Sequence, residues 1–340
     1  MGARAATGAA MTTAWLLLQF AACAVLIARA GYVLSRSADT LAQARGWGRG
    51  WVGLAMLATV TSLPELTTGL SAVAWVGAPN LAVGDALGSC VFNLAFLVVI
   101  DAVQRQQPMY RDAATTHLLA AAFGVVMLGL VALSLLLAEH APRLLHVGLY
   151  SPLMIVLYLF ALASVARYER ESAQAHPATG GASPAAAWRS FMLAAVAVLA
   201  VGAALPHLAE RLVEATGLNR SFVGTLGLAF ATSLPEVAVS LGALRLRALD
   251  LAIANLLGSN LFNVAVLAID DLAYLRGPLL ADASAVHAAT AITATVMSGL
   301  VIVGLVLRPQ GRVLRVVSWI SIGLLAGYVL NATIAYLRGG

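Results

Sequence analysis

Two short polar motifs occur twice in this chain, and their repetition restricts the folds open to it more than any other feature. Residues 61–66 read TSLPEL and residues 232–237 read TSLPEV. Residues 87–93 read LGSCVFN and residues 257–263 read LGSNLFN. Glu65 maps onto Glu236 at an offset of 171 and Asn93 onto Asn263 at an offset of 170, so both motifs recur in the same order. Around them the chain is apolar. Of its 340 residues 61% are hydrophobic and 10% charged, with a mean hydropathy of +0.90. A soluble domain carries roughly 25% charged residues, so this chain cannot cover a water-facing surface. That excludes a soluble enzyme, a disordered chain and, despite a pI near 9.6, a nucleic-acid-binding protein.

Apolar runs of about twenty residues are long enough to cross a bilayer as helices. Ten are read, at 12–34, 50–76, 79–103, 114–138, 144–167, 187–213, 221–245, 250–274, 283–307 and 313–336. Five runs separate the motif copies. An odd number reverses direction through the membrane, so the copies form an inverted-topology repeat. The expected fold is an all-α integral membrane protein of ten transmembrane helices. They form two inverted five-helix repeats, 1–168 and 187–340, with a polar cytoplasmic linker at 169–186 and with helices 2, 3, 7 and 8 broken. Inverted repeats with broken helices are typical of secondary transporters, which bind substrate near the bilayer midplane.

All 20 basic residues are arginine. Thirteen, from Arg36 and Arg45 through Arg105 and Arg189 to Arg312 and Arg315, fall on one side of the spans and six on the other. The positive-inside rule puts the richer side in the cytoplasm and both termini outside an inner membrane. Cys23 and Cys90 lie in apolar runs and supply neither a disulfide framework nor a zinc site.

The motif residues have a definite chemistry. Pro64 and Pro235 lack an N–H, so the carbonyls of Val60 and Ala231 lose their helical donors. Thr61 and Ser62 share a helix face with Glu65, and Thr232 and Ser233 share one with Glu236. On helix 3 Asp85, Ser89 and Asn93 are spaced one turn apart, as are Asn255, Ser259 and Asn263 on helix 8. Interhelical hydrogen bonding is the plain reading of Ser and Asn in membrane helices. With a buried Glu on each partner helix, a cation site is the stronger one. Carboxylates, hydroxyls and carbonyls make the all-oxygen shell that hard cations such as Ca2+ and Na+ prefer. Two close glutamates in a dry bilayer need a cation or a proton between them, and a site that must stay filled couples the fluxes of its occupants.

These motifs resemble those of the calcium/cation antiporter superfamily, in particular its prokaryotic sodium/calcium exchanger branch. The resemblance implies ten helices in two inverted repeats, and central ligands Glu65 and Glu236. It implies hydroxyl ligands Thr61, Ser62, Ser89, Thr232, Ser233 and Ser259, carbonyl ligands Ala58 and Ala229, and side-chain ligands Asn93 and Asn263. It also implies that helices 1 and 6 move against the core. The chain departs from the family in three ways: Val60 and Ala231 replace glycines, Gly84-Asp85 replaces a Gly-Asn pair, and Asn stands at both 93 and 263. Asp85 is therefore a candidate third carboxylate.

The reading is a secondary active antiporter that exports Ca2+ in exchange for Na+ by alternating access, with no cofactor. A Ca2+/H+ exchanger is the alternative, and a cation channel the reading from another class. Its partners are small inorganic cations and the lipid bilayer, with no nucleic acid. Asp101, Asp270 and Asp271 are expected to face water at the ends of helices 3 and 8, with Asp101 and Asp270 as near repeat mates. His207 and Glu210 are expected at the interface, and the six tryptophans in an aromatic belt.

Overall fold

The computed structural model describes residues 2–104, 108–137, 140, 142–172, 184–216, 229–313 and 315–338. They are almost wholly helical. The exception is a two-residue-per-strand antiparallel hairpin, β1 (Arg143–Leu144) and β2 (Val147–Gly148). The long helices are α1 (Gly2–Arg45), α3 (Pro79–Val103), α4 (Thr116–Leu136), α5 (Tyr150–Ser172), α6 (Pro184–Thr216), α8 (Leu249–Ala273), α9 (Val286–Leu307) and α10 (Trp319–Arg338). Eight helices among the described residues are long and apolar enough to cross a membrane. Helix α5 runs on to Ser172 and α6 begins at Pro184, so both helices enter the segment 169–186 that the sequence marks as a cytoplasmic linker. The rest of that segment, 173–183, lies outside the described residues, as do Arg105 and the expected start of helix 7 at 221–228.

Between α1 and α3 runs α2, a rod in five consecutive pieces: Arg49–Trp51, Val52–Leu57, Ala58–Thr61, Leu63–Ser71 and Ala72–Val76. The second and fifth are π-helical. Single-turn π segments inside helices are rare and cluster at functional sites. The interruption falls at Ser62, whose φ of −93° and ψ of 11° leave the helical basin. Pro64 explains it. A proline within a helix loses one backbone bond and collides with the preceding turn, but in the first turn of a new helix its missing N–H costs nothing. Helix α7 (Leu234–Arg245) restarts in the same way after Ser233, with Pro235 in its first turn. Both motif glutamates thus sit in the first turn of a restarted helix, where the helix dipole favours a negative group.

Helices 3 and 8 do not break, contrary to the sequence expectation. Both α3 and α8 are continuous over 25 residues. Their motif glycines serve close approach instead. A Cβ on Gly258 would lie 2.7 Å from the Leu54 Cα and carbonyl oxygen, and one on Gly88 would lie 3.1 Å from the Ala229 Cβ. The α2 backbone therefore packs directly onto α8.

Burial sorts the helices into centre and rim. Of the most apolar stretch of α8, 94% is buried, against 17% for α1 and 22% for α10. Leu17, Leu18, Val25 and Leu26 on α1, Leu193 and Val196 on α6, and Val329 and Leu330 on α10 face outward. These apolar flanks belong against lipid, and the polar residues of α3 and α8 are screened from it. Of the tryptophans, Trp15, Trp75 and Trp319 are exposed, whereas Trp47, Trp51 and Trp188 pack against the core, so the expected belt is partial. Helix α1 lies along α6 and reaches α7, where the Ser35 hydroxyl donates to the Val239 carbonyl at 2.7 Å.

The ends of α3 and α8 correct another expectation. Asp101 and Asp271 are wholly buried rather than water-facing. Asp101 accepts from Met109 N at 2.9 Å, Ser318 N at 2.7 Å and Ser321 Oγ at 2.7 Å. Asp271 accepts from Leu279 N at 2.6 Å, Gly148 N at 2.9 Å, Ser151 Oγ at 2.5 Å and the Tyr150 hydroxyl at 2.8 Å. The first three partners match pair for pair. The repeat mate of Asp101 is therefore Asp271, at the 170-residue offset of Asn93 and Asn263, and not Asp270.

Candidate cation site

The two interruptions meet at the middle of the molecule, where α2, α3, α7 and α8 converge. Thr61, Ser62, Glu65, Asp85, Ser89, Asn93, Thr232, Ser233, Glu236, Ser259 and Asn263 are all buried, as are Ala58 and Ala229. All thirteen residues singled out from sequence lie on these elements or immediately before α7.

The hydrogen bonds run between the copies and are reciprocal. Ser62 Oγ donates to Glu236 Oε1 at 2.8 Å, and Ser233 Oγ to Glu65 Oε1 at 3.5 Å. Thr61 meets Ser259 at 3.4 Å, and Thr232 meets Ser89 at 3.4 Å. Thr61 Oγ1 donates to Asn255 Oδ1 at 3.4 Å, and Thr232 Oγ1 to Asp85 Oδ1 at 3.1 Å. Each motif Ser thus holds the glutamate of the other copy. The Ala58 and Ala229 carbonyls each accept twice, from Ser62 N and Thr61 Oγ1 and from Ser233 N and Thr232 Oγ1.

Helices α3 and α8 cross at Cys90 and Asn260. Asn260 Nδ2 donates to the Cys90 carbonyl at 3.2 Å, and Asn93 Nδ2 donates to Asn260 Oδ1 at 3.2 Å. Cys90 is a small buried residue, as its apolar setting suggested. Asn260 joins the polar core through its place in the repeated motif, which sequence reading passed over. Ser240, which lies outside both motifs, joins it as well and accepts from Asn255 Nδ2 at 3.1 Å.

Several buried oxygens have no hydrogen-bond partner among the described residues: Glu65 Oε2, Glu236 Oε2, Asp85 Oδ2, Asn93 Oδ1, Asn263 Oδ1 and both oxygens of Asp270. A buried polar atom without a partner is costly, and native proteins keep few. Here they cluster on four converging elements, with the unpartnered Asn263 Nδ2 beside them, and these oxygens are the donor type hard cations take. No arginine or histidine pairs with these carboxylates in the described ion pairs. His207 is exposed, and the Glu210 side chain lies outside the described residues. A separate buried group was missed from sequence. His117 Nε2 meets Asp250 Oδ1 at 2.9 Å, and Glu169 accepts from Trp51 N at 2.9 Å. These tie α4 to α8 and α5 to α2 away from the central oxygens.

Fold and site together define an integral membrane protein with a doubled, carboxylate-bearing oxygen core shielded from lipid. The chain belongs to the sodium/calcium exchanger protein family, whose model matches residues 15–166 and 186–334. Members of that family are transporters and not enzymes. The chain is 30% identical over 287 residues to "Putative antiporter CaxA" of Alkalimonas amylolytica, covering 82% of this chain and 86% of the relative. It is 28% identical over 252 residues to inner membrane protein YrbG of Escherichia coli, covering 66% and 72%. Its fold is similar to a solved structure of the sodium-calcium exchanger NCX_Mj soaked with Na+ and Sr2+, with a TM-score of 0.71 at 19% identity, covering 94% of this chain and 99% of that one.

Proposed function

We propose that the protein is a secondary active antiporter that exports Ca2+ in exchange for Na+ across an inner membrane. The reading rests above all on one observation. Each motif serine donates to the glutamate of the opposite copy, and each glutamate keeps one buried oxygen free. A divalent ion at the centre is coordinated by Glu65 and Glu236, with Thr61, Ser62, Ser89, Thr232, Ser233 and Ser259 as hydroxyl ligands. Ala58, Ala229, Asn93, Asn263 and Asp85 complete the oxygen shells as Ca2+ and Na+ alternate. The ions neutralise carboxylates that are otherwise unpaired in a dry interior, so an empty core resists the change between inward and outward states. That resistance obliges exchange.

The architecture of this reading is ten helices in two inverted five-helix repeats, 1–168 and 187–340, with 169–186 on the cytoplasmic side and both termini outside. Helices α1 and α6, packed on each other at the rim, move as the gate against α2, α3, α7 and α8. The relatives' printed names support antiport in an inner membrane, and the NCX_Mj likeness supports the sodium/calcium pair. A proton counter-ion is the second reading, favoured by Asn rather than Asp at both 93 and 263.

Flux in proteoliposomes tests the proposal. Calcium uptake driven by an outward sodium gradient is the expected result. Uptake that follows the pH gradient and ignores sodium selects the proton reading, and calcium conduction with no counter-ion selects a channel. Single cysteines at the termini should label from outside, and one placed in 173–183 from the cytoplasm.

A further inference from the structure

One corner of the core has no counterpart in the other copy. At the offsets of the repeat, Gly69, Asp85 and Ile100 correspond to Ser240, Asn255 and Asp270. At this corner of the second copy, Ser240 and Asn255 are neutral and hydrogen-bonded. Asn255 Nδ2 donates to Ser240 Oγ at 3.1 Å and approaches the Glu236 carbonyl at 3.4 Å, while Ser240 Oγ donates to the Ala252 carbonyl at 3.3 Å. Around the first copy the corresponding place holds no side chain, because Gly69 stands where Ser240 would. The carboxylate of Asp270 fills the space a Cβ on Gly69 would occupy.

Asp270 is fully buried, and neither of its oxygens has a hydrogen-bond partner. Asp85, itself 2% exposed, is close enough to act on it electrostatically; its Oδ1 accepts from Thr232 and its Oδ2 has no hydrogen-bond partner. Two buried carboxylates thus lie within electrostatic reach of each other and together leave three oxygens without a hydrogen-bond partner. Packing does not require this arrangement, since Ile100 occupies the repeat-related position. Gly69 lies one helical turn from Glu65 on α2, so the corner opens beside the central glutamate.

We propose that Asp85 and Asp270 form an accessory subsite that holds one monovalent metal cation of the sodium class, next to Glu65 and on one side of the central core only. This rests on the cation-exchange reading and extends it. Ca2+ takes six to eight oxygen ligands. Three free oxygens from two carboxylates fall well short of that, while the central core draws hydroxyls and glutamates from both copies. A singly charged ion that keeps part of its water fits the smaller set. The transport stoichiometry then carries one monovalent ion that the repeat symmetry alone would not supply.

The test uses the full-length protein in lipid nanodiscs, with radioactive sodium and calcium as probes. Asp270→Asn removes the charge and keeps the shape, and Asp270→Ile installs the residue found at the repeat-related position. Either variant should bind one sodium fewer per protein and show a lower Hill coefficient for displacement of calcium by sodium. Calcium bound per protein should not change, and Glu236→Gln should lose it. Melting temperature, with and without sodium, reports folding, and sodium should raise it less in either Asp270 variant than in wild type. A wild-type sodium count in a folded variant overturns the subsite. So does a variant that alters only the pH dependence of transport. Wild-type protein that binds calcium alongside a variant with an undiminished sodium count overturns the subsite alone. Wild-type protein that binds neither ion overturns the proposed function as well.

Discussion

The two motif copies carry the same glutamate and hold it differently. Glu236 receives Ser62 at 2.8 Å and Ser259 at 3.2 Å on one oxygen. Glu65 receives Ser233 at 3.5 Å, the limit of a hydrogen bond. Asn255, which donates to the Glu236 carbonyl, is neutral, whereas its repeat mate Asp85 is a carboxylate that acts electrostatically on both glutamates. One copy is therefore a tight cradle and the other a looser one, and in each the glutamate keeps one buried oxygen without a partner. The difference shows what duplication preserved. Glu, Ser and Thr stay fixed in both copies, while the residues around them set the local charge and diverge.

Removing a glutamate should have the largest effect and should erase the difference between the copies. Glu65→Gln and Glu236→Gln should each reduce calcium exchange in reconstituted vesicles to background, and the double variant should be no worse. Their thermal stability should hold or rise, because an uncompensated buried carboxylate opposes folding. Robust exchange by both single variants would break the assignment of the centre.

Asp85→Asn should come next, since it makes the first copy resemble the second. It should weaken apparent sodium affinity on the order of tenfold, about 1.4 kcal/mol, without unfolding the protein. Sodium titration of calcium exchange measures it, and an unchanged curve would make Asp85 a structural partner of Thr232.

The glycines sharpen the comparison through packing. Gly258→Ala meets backbone of α2 and should cost about 1–3 kcal/mol. Gly88→Ala meets only the Ala229 methyl at 3.1 Å, so the loss should be smaller. Thermal denaturation in detergent gives both, and equal losses would contradict the unequal contacts.

The smallest effect separates the serines. Ser62→Ala gives up a 2.8 Å bond and should cost about 1–3 kcal/mol, whereas Ser233→Ala should cost less than about 0.5 kcal/mol. A reversed order in the same melting assay would show that the two cradles exchange roles between states.

That the chain is a helical membrane protein, and that its repeated polar residues are buried together in the interior, was legible in sequence because membranes impose simple rules. A helix must be apolar for its length, so a polar residue repeated within one stands out. The ends of α3 and α8 were not legible. Asp101 and Asp271 look like interfacial residues because each closes an apolar run. Their real partners are backbone N–H groups eight residues further on and serines more than a hundred residues away. Nothing local announces such a contact. Gly88 and Gly258 misled for a related reason. A glycine permits both a break and a close approach, and only the neighbouring helix decides which. Asp270 was paired with Asp101 by offset alone, and the one-residue shift between adjacent aspartates became visible only through their hydrogen bonds.

The clamps on Asp101 and Asp271 also bear on how the chain is made. Asp101 is held by the start of α10 and Asp271 by the segment that opens α5, so each carboxylate depends on the opposite half of the sequence. Synthesis runs from the N-terminus. Asp101 therefore enters the membrane long before Ser318 and Ser321 exist, and it waits there without two of its donors. Asp271 finds Gly148, Tyr150 and Ser151 already in place. Assembly is thus ordered in time: the first half remains provisional until the start of α10 arrives and closes it.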